Sequence, residues 1–326
     1  YFSNNQFLNH SAVNPCFSLL SSMGKSKDFA SEFNFFEEEK RAKLVEGLYP
    51  TSDGDSLKQV LTTNRPNVLL ILMEGFGGAF IEPLGGLPDV APNLNRLSEE
   101  GIFFTHCYAN SFRTDRGTVC TLSGYLGLPT VSVMKIPTKS RTLPAISEEL
   151  VKAGYQTDFL YGGDINFTNM KSYLLSKGYQ HLTADTDFSL AERNSNVWGV
   201  NDDITSEWLL NHLKQRSDKE TPWFTTYLTL SSHEPFDVPY SRLEEKIPNA
   251  FAYTDECLGK LIEGLKQTPL WKDLLIVCIP DHGFCYPQGT TDRGGEFSHI
   301  PMLWLGGAVK NPMKVDKIMN QTDMAA

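Results

Sequence analysis

The chain has 326 residues, 40% of them hydrophobic and 21% charged, with a formal charge of -10 at pH 7. That length and balance describe one large α/β domain or two modest ones, and the negative charge argues against a broad nucleic-acid-binding surface. An acidic chain that handles an anionic substrate needs a local cation, which a bound divalent metal supplies.

In chain order, residues 1–64 read as a lead-in segment, irregular to helical, with the acidic stretch FEEEKRAKLVEGLYP (36–50) and no catalytic grouping. From residue 65 onward strand-like and helical patterns alternate. NVLLILM (67–73) precedes PNLNRLSEEG (92–101); IFFTHCYA (102–109) precedes DRGTVCTLSGY (115–125); TLPAISEELVKAGY (142–155) precedes QTDFLYGG (156–163). Then come the helical FTNMKSYLLSKGY (167–179) and DITSEWLLNHLKQR (203–216), the strand WFTTYLTLSS (223–232), the helix NAFAYTDECLGKLIEGLKQ (249–267) and the strand LLIVCIP (274–280). This alternation predicts an α/β fold with a mostly parallel central sheet flanked by helices. Pro92 and Pro144 sit near helix starts, where a missing N–H costs little. No internal repeat is visible.

No stretch approaches the roughly 18 to 20 apolar residues of a membrane span, and no secretory signal opens the chain. A start at Tyr1 and an end in QTDMAA give the expectation of an excised domain, cut short at its C-terminus, whose missing parts include an anchor. The six cysteines, at 16, 107, 120, 257, 278 and 285, lack C-x-x-C spacing, which speaks against a structural zinc site. Cys278 belongs to an apolar strand and is expected to be buried. Cys107 with Cys120, or Cys285 with another, are pairings that an oxidising compartment would permit and that sequence leaves open.

Four separated residues stand where such a fold exposes chemistry. Glu74 follows the first apolar run, and Asp281-His282-Gly283 follows LLIVCIP; ligands of open α/β sheets bind at the carboxyl ends of the strands. Thr114 precedes a helix, where a hydroxyl meets free backbone N–H groups. Two carboxylates, an imidazole and a hydroxyl form a plausible divalent-metal site with its own nucleophile, because coordination to a dication activates a hydroxyl without a histidine base. Each has an ordinary alternative: Glu74 as a solvated acid at a glycine-rich turn, Asp281-His282 as a structural hydrogen-bonded pair, and Thr114 as a helix cap shared with Ser111 or Asp115. Arg113 and Arg116 flank Thr114 and are candidates for binding non-bridging phosphate or sulfate oxygens.

The segments NVLLILMEGFGG, APNLNRLSEEGIFFTHCYANSFRTDRGT, YGGDINFTNMKSYLLSKGYQ, WGVNDD, LSSHEPF, YTDECLGKLI, and DHG followed by HIPMLWLGG occur in this order over residues 64–326. With them the chain resembles the extracellular catalytic domains of lipoteichoic acid synthases and related phosphoglycerol transferases, within the alkaline phosphatase and sulfatase superfamily. The resemblance implies a sulfatase/alkaline-phosphatase-like domain over 65–326. It implies one Mn²⁺ or Mg²⁺, in preference to Zn²⁺ or Ca²⁺, held by Glu74, Thr114, Asp281 and His282. It makes Thr114 the nucleophile that attacks phosphorus, and His233 a contact to the transferred group that assists proton transfer. Asp164 and Asn169 fall in the segment that binds the glycerol head group in that family. There the match departs, since the family's histidine, tryptophan and arginine appear as Gly162, Thr168 and Met170.

Related sulfatases carry a formylglycine made from cysteine or serine in a C/S-x-P-S-R motif, and Thr114-Asp115-Arg116 supplies none. The two-zinc phosphatase branch uses an Asp-x-x-x-His spacing that neither His233 nor His299 has, so one metal is expected; His299 is either a substrate-side group or a structural one. The implied activity is movement of a phosphoglycerol or related phospho-alcohol head group from a lipid phosphodiester donor to a glycan or polymer acceptor. It implies an extracytoplasmic enzyme, anchored in the cell membrane by a part outside this chain, with no nucleic-acid partner. A phosphodiesterase or sulfatase-type hydrolase is the alternative, and a non-catalytic binding domain a third reading.

Overall fold

A computed structural model describes residues 34–48, 58–216, 221–284, 286, 287 and 295–325, together with positions 12, 14, 16, 17 and 20. The chain divides into two compact units, Tyr1–Lys58 and Gln59–Ala326. In the first, α1 (Glu38–Leu48) is a helix with acidic residues in its first turn. Within the second unit Leu61 bridges Val309 and the Thr62 N–H donates to the Ala308 carbonyl.

The sheet contains β1 (Asn67–Met73), β2 (Ile102–Tyr108), β3 (Gln156–Tyr161), β4 (His181–Thr183), β5 (Trp223–Leu228), β6 (Leu274–Pro280), β7 (His299–Leu305), β8 (Met313–Val315) and β9 (Met319–Asn320). Their order is β4-β3-β5-β1-β6-β7-β2-β8, with β9 also on β2. Parallel pairing dominates, and β7 alone runs against its neighbours β6 and β2. The central strands are apolar on both faces, as a strand covered by helices on both sides must be.

Strand alternation sends neighbouring residues into two cores. Leu69, Ile71 and Met73 of β1 join Leu274, Ile276 and Cys278 of β6 on one face, packed on α2 (Pro92–Leu97), α6 (Asp202–Lys214) and α7 (Lys246–Lys266). Leu70 and Leu72 join Leu275, Val277 and Ile279 on the other, against α3 (Thr114–Ser123), α4 (Ile146–Lys152) and α5 (Met170–Ser176). The result is a helix-sheet-helix sandwich. Asp255 of α7 fastens one layer together: its carboxylate accepts the Asn93 and Leu94 backbone N–H groups at 2.9 and 2.8 Å and satisfies the open start of α2. Cys107 and Cys120 are buried free thiols and do not pair; Cys257 and Cys278 are likewise free and buried, and Cys285 lies outside the described residues.

Candidate active site

Glu74 and Asp281 are 207 positions apart in sequence, yet they emerge side by side because β1 and β6 are parallel neighbours whose last paired residues are Met73 and Pro280. Both turns are held from behind. The Gly75 and His282 backbone N–H groups each donate to Asp281 Oδ1 at 2.9 Å. The Glu74 N–H donates to Thr229 Oγ1 at 2.9 Å, and Ser232 Oγ donates to the Glu74 carbonyl at 2.7 Å. Gly75 has φ of 58°, a conformation that suits glycine at so abrupt a strand exit.

Thr114 is the first residue of α3, after the extended Arg113. Its hydroxyl donates to Glu74 Oε2 at 3.0 Å. One turn along the helix, a Cβ on Gly117 would fall 1.7 Å from the Asp281 carbonyl oxygen. Only glycine lets the helix ride this closely on the β6 exit, and that contact delivers Thr114 to the carboxylates.

His282 closes the cluster, with Nε2 3.2 Å from Glu74 Oε1 and 3.6 Å from Asp281 Oδ2. Its Nδ1 is 2.7 Å from the Gly283 carbonyl, so Nδ1–H donates there and Nε2 faces the carboxylates. Burial alone would raise Glu74, but the His282 hydrogen bond and charge outweigh it and hold this carboxyl at about 2. Burial and then the Glu74 charge push Asp281 up to about 7. Burial would lower His282, yet the Asp281 and Glu74 charges raise it to about 10. A proton on His282 thus stands where the cluster calls for positive charge.

These residues fit a divalent metal. Donor atoms of Glu74, Asp281 and His282 all lie within 4.8 Å of one another, and no other trio of such groups exists among the described residues. Asp281 Oδ2 is fully buried with no hydrogen-bond partner, although buried polar atoms are ordinarily paired. A carboxylate-rich set with one imidazole and one hydroxyl suits a hard or borderline dication.

The cluster forms the floor of a cavity of about 590 Å³, walled by Phe112, Tyr161, Phe167, Trp198, Phe236 and Phe284. His233 lines it from the β5 exit, its Nδ1 2.8 Å from the Glu234 carbonyl and its ring 4.5 Å from that of Trp198. The Trp198 indole N–H donates to the same carbonyl at 2.5 Å. Behind this loop the buried Asp202 accepts the Leu230 and Ser231 N–H groups at 2.8 and 3.0 Å and the Thr254 hydroxyl at 2.9 Å. The WGVNDD segment thereby fixes the loop that carries His233.

Arg113 lines the cavity, but Arg116 does not. Two residues beyond Thr114 a helix has turned by about 200°, and the Arg116 guanidinium lies over the Phe112 ring at 4.8 Å, in a small separate recess with Val119 and Leu126. Asp164 borders an adjoining recess of about 360 Å³ together with Tyr161, Trp198 and Arg193, and its Oδ1 accepts the Asn166 backbone and side-chain N–H groups at 2.9 and 3.0 Å. Asn169 is not among the lining residues; its amide donates to the Lys135 carbonyl at 3.3 Å, while its neighbours Thr168 and Met170 line the wall. His299 is occupied at the backbone, with Nε2 2.7 Å from the Thr105 carbonyl, and does not line the cavity. Sequence reasoning assigned no role to Trp198, Tyr161, Phe112, Ser232 or Asp202. The acidic NDD run before an amphipathic helix was the one local signal, and it reads as an ordinary helix start.

A somewhat larger hollow, about 690 Å³, lies where β3 and β4 face α6. Its charged groups are committed to structure: Arg216 pairs with Asp158 at 2.5 Å and donates to Gln156 at 2.8 Å. Among the described residues it holds no assembled trio of metal-ligating groups.

Comparison with known proteins bears on the fold and the family. The family model described as Sulfatase matches residues 66–326. Phosphoglycerol transferase I of Salmonella arizonae is 24% identical over 222 residues, and that of Escherichia coli strain 55989 is 25% identical over 220 residues. Each alignment covers 60% of this chain but only 28% of the transferase, so the chain matches little more than a quarter of those proteins. Among solved structures, a protein in the alkaline phosphatase superfamily from Vibrio parahaemolyticus superposes with a TM-score of 0.78 at 28% identity, covering 89% of this chain and 73% of that one. A lipoteichoic acid synthase from Listeria monocytogenes shares the fold, with a TM-score of 0.76 at 17% identity over 87% of this chain and 76% of that one. The family match runs through the whole sheet from Pro66 onward, and the chain belongs to the sulfatase family, an enzyme family of the alkaline phosphatase superfamily.

Proposed function

We propose that this domain is a metal-dependent phosphoryl transferase whose nucleophile is Thr114, and that it moves a phosphoglycerol or related phospho-alcohol head group from a lipid donor to a glycan or polymer acceptor at the cell envelope. The observation that carries the reading is the Thr114 hydroxyl, 3.0 Å from Glu74 Oε2, at the edge of a buried carboxylate-imidazole cluster. Glu74, Thr114, Asp281 and His282 would hold one Mn²⁺ or Mg²⁺. Bound there, a dication would supply Lewis-acid stabilisation of the phosphoryl charge and lower the threonine pKa.

In the first half-reaction Thr114, its hydroxyl proton already released to solvent, forms a bond from its deprotonated oxygen to phosphorus as the bond to the lipid alcohol breaks, and protonated His233 gives that alcohol its proton. Arg113, the cation that lines the cavity beside Thr114, is placed to meet non-bridging oxygens. In the second, His233 takes the proton of the acceptor hydroxyl, whose oxygen displaces Thr114 from phosphorus and restores the enzyme. The transferases named above, matched over part of their length, support a phospho-alcohol as the group transferred.

The test is turnover of phosphatidylglycerol in Mn²⁺ with and without an acceptor alcohol, followed by mass spectrometry of a trapped phospho-threonine peptide. A phosphorylated Thr114 and an acceptor-dependent phosphodiester product are expected. Release of the head-group phosphate to water at the same rate, whatever the acceptor, would move the reading to a hydrolase. Wild-type turnover by Thr114→Ala would remove the nucleophile assignment altogether.

A further inference from the structure

Nine large hydrophobic side chains among the described residues of Gln59–Ala326 are exposed, and five of them gather around the mouth of the candidate cavity. Phe112, Phe167 and Trp198 line the cavity and turn part of their rings outward; Val197 borders the adjoining recess and is 74% exposed. Leu126, 61% exposed, shares the recess of Arg116, on which Phe112 rests. The other four, Leu87, Leu175, Leu190 and Ile318, are not among the residues lining these hollows. Scattered exposed hydrophobics are ordinary on a soluble surface, whereas a group of them ringing one opening marks an interaction site.

Charge also surrounds the opening. Arg113, Lys135 and Arg193 keep side chains half-exposed there, while their partners Asp115 and Asp185 are buried. These three cations stand beside two exposed carboxylates, Asp164 and Glu234, in a chain whose formal charge is -10. Aromatic rings, aliphatic side chains and flanking cations together are the composition that settles at the boundary between head groups and acyl chains.

We infer that this rim docks onto the interface of a lipid bilayer, with the cavity mouth facing the head groups. The inference rests on the lipid-donor reading above and names the surface that reading needs. A lipid phosphodiester lies within a few bonds of its acyl chains, and a cavity of about 590 Å³ takes the head group and leaves the chains outside. Thr114 at the cavity floor reaches phosphorus only if the mouth sits at the level of the head groups. An exposed apolar rim lets it do so without drawing the lipid out of the membrane.

Flotation of the purified chain with vesicles tests this directly, since no described helix is long and apolar enough to cross a membrane and contribute to binding. The wild-type chain is expected to float with phosphatidylcholine vesicles that contain phosphatidylglycerol. The double variant Leu126→Ser/Val197→Ser is expected to bind them about tenfold more weakly, because two exposed aliphatic groups no longer leave water. Its turnover of a soluble nitrophenyl phosphodiester is expected to be unchanged, while turnover of phosphatidylglycerol in vesicles falls with the lost binding. Failure of the wild-type chain to float, or equal flotation by the double variant, would overturn the docking surface and leave the phosphoryl-transfer reading standing. Thr114→Ala is expected to float as wild type, so loss of the catalytic reading would register separately.

Discussion

Glu74, Thr114, Asp281 and His282 leave the ends of two paired central strands and the first turn of a buried helix, whereas Asp164, Phe167, Trp198 and His233 stand on segments beyond β3, β4 and β5. The floor is held by the backbone itself, through the β1–β6 register, the Asp281 carboxylate accepting two N–H groups, and the close passage of Gly117 over the Asp281 carbonyl. The wall is held by side chains: Asp202 beneath the His233 loop and Trp198 on the Glu234 carbonyl. A backbone-defined floor is fixed by the sheet itself. A wall on loops can change residue types without disturbing the sheet, and in the proposed reaction it is the part that would select the head group.

If the floor acts as a unit, its variants lose chemistry and its wall variants lose recognition. The largest effect is expected for Thr114→Ala, with kcat falling by at least about 10⁴-fold, the scale on which loss of a nucleophile is felt; a steady-state assay with a nitrophenyl phosphodiester in Mn²⁺ measures it. Asp281→Asn is next. Its amide oxygen still accepts from Gly75 and His282, but a neutral group replaces the orphaned anionic oxygen, and Mn²⁺ affinity in calorimetry is expected to drop by at least about 100-fold. The same variant should melt higher than wild type in chelator at pH 8, because one of two buried like charges is gone.

Protons supply a second probe of the floor. A folded-state pKa of about 7 for Asp281, above its ordinary 3.8, means that the metal-free protein binds more protons than the unfolded chain between those values. That carboxyl therefore costs stability increasingly as pH rises from 4 to 7. Metal must displace protons from Asp281 and His282, so Mn²⁺ affinity is expected to rise from pH 6 to pH 8, with proton release visible as a buffer-dependent binding enthalpy. Affinity independent of pH would show that the cluster does not bind the metal.

Wall variants should behave differently. His233→Gln is expected to lower kcat by about 10²-fold and to leave Mn²⁺ affinity unchanged, since its role is proton transfer. The smallest effect is expected for Trp198→Ala: a rise in KM of about tenfold with kcat nearly intact, provided the indole only shapes the head-group site. Should Trp198→Ala instead reduce kcat as far as His233→Gln does, floor and wall are not separable, and the indole holds the histidine in its working position.

Much of the floor was legible from residue order. A continuous apolar run followed by an acid announces a buried strand, and both NVLLILM-Glu74 and LLIVCIP-Asp281 fold as read, as β1 and β6. Arg116 was grouped with Thr114 by proximity in sequence, and the half-turn that a helix inserts between them carries its guanidinium over Phe112, outside the cavity lining. Asn169 itself is left-handed, with φ of 64°, and its amide turns toward Lys135. The antiparallel β7 was unreadable because a buried strand has the same apolar pattern in either direction.

Hydrophobic periodicity and residue chemistry are local properties, and from them the layered α/β fold, the candidate quartet Glu74, Thr114, Asp281 and His282, and the mismatch in the head-group segment could be read. Packing alone made β1 and β6 neighbours, let Gly117 bring Thr114 to Glu74, turned Arg113 rather than Arg116 to the cavity, and brought exposed hydrophobics to its mouth. Each of these depends on which distant segments pack together, and the sheet settles that by burying apolar faces from across the whole chain at once.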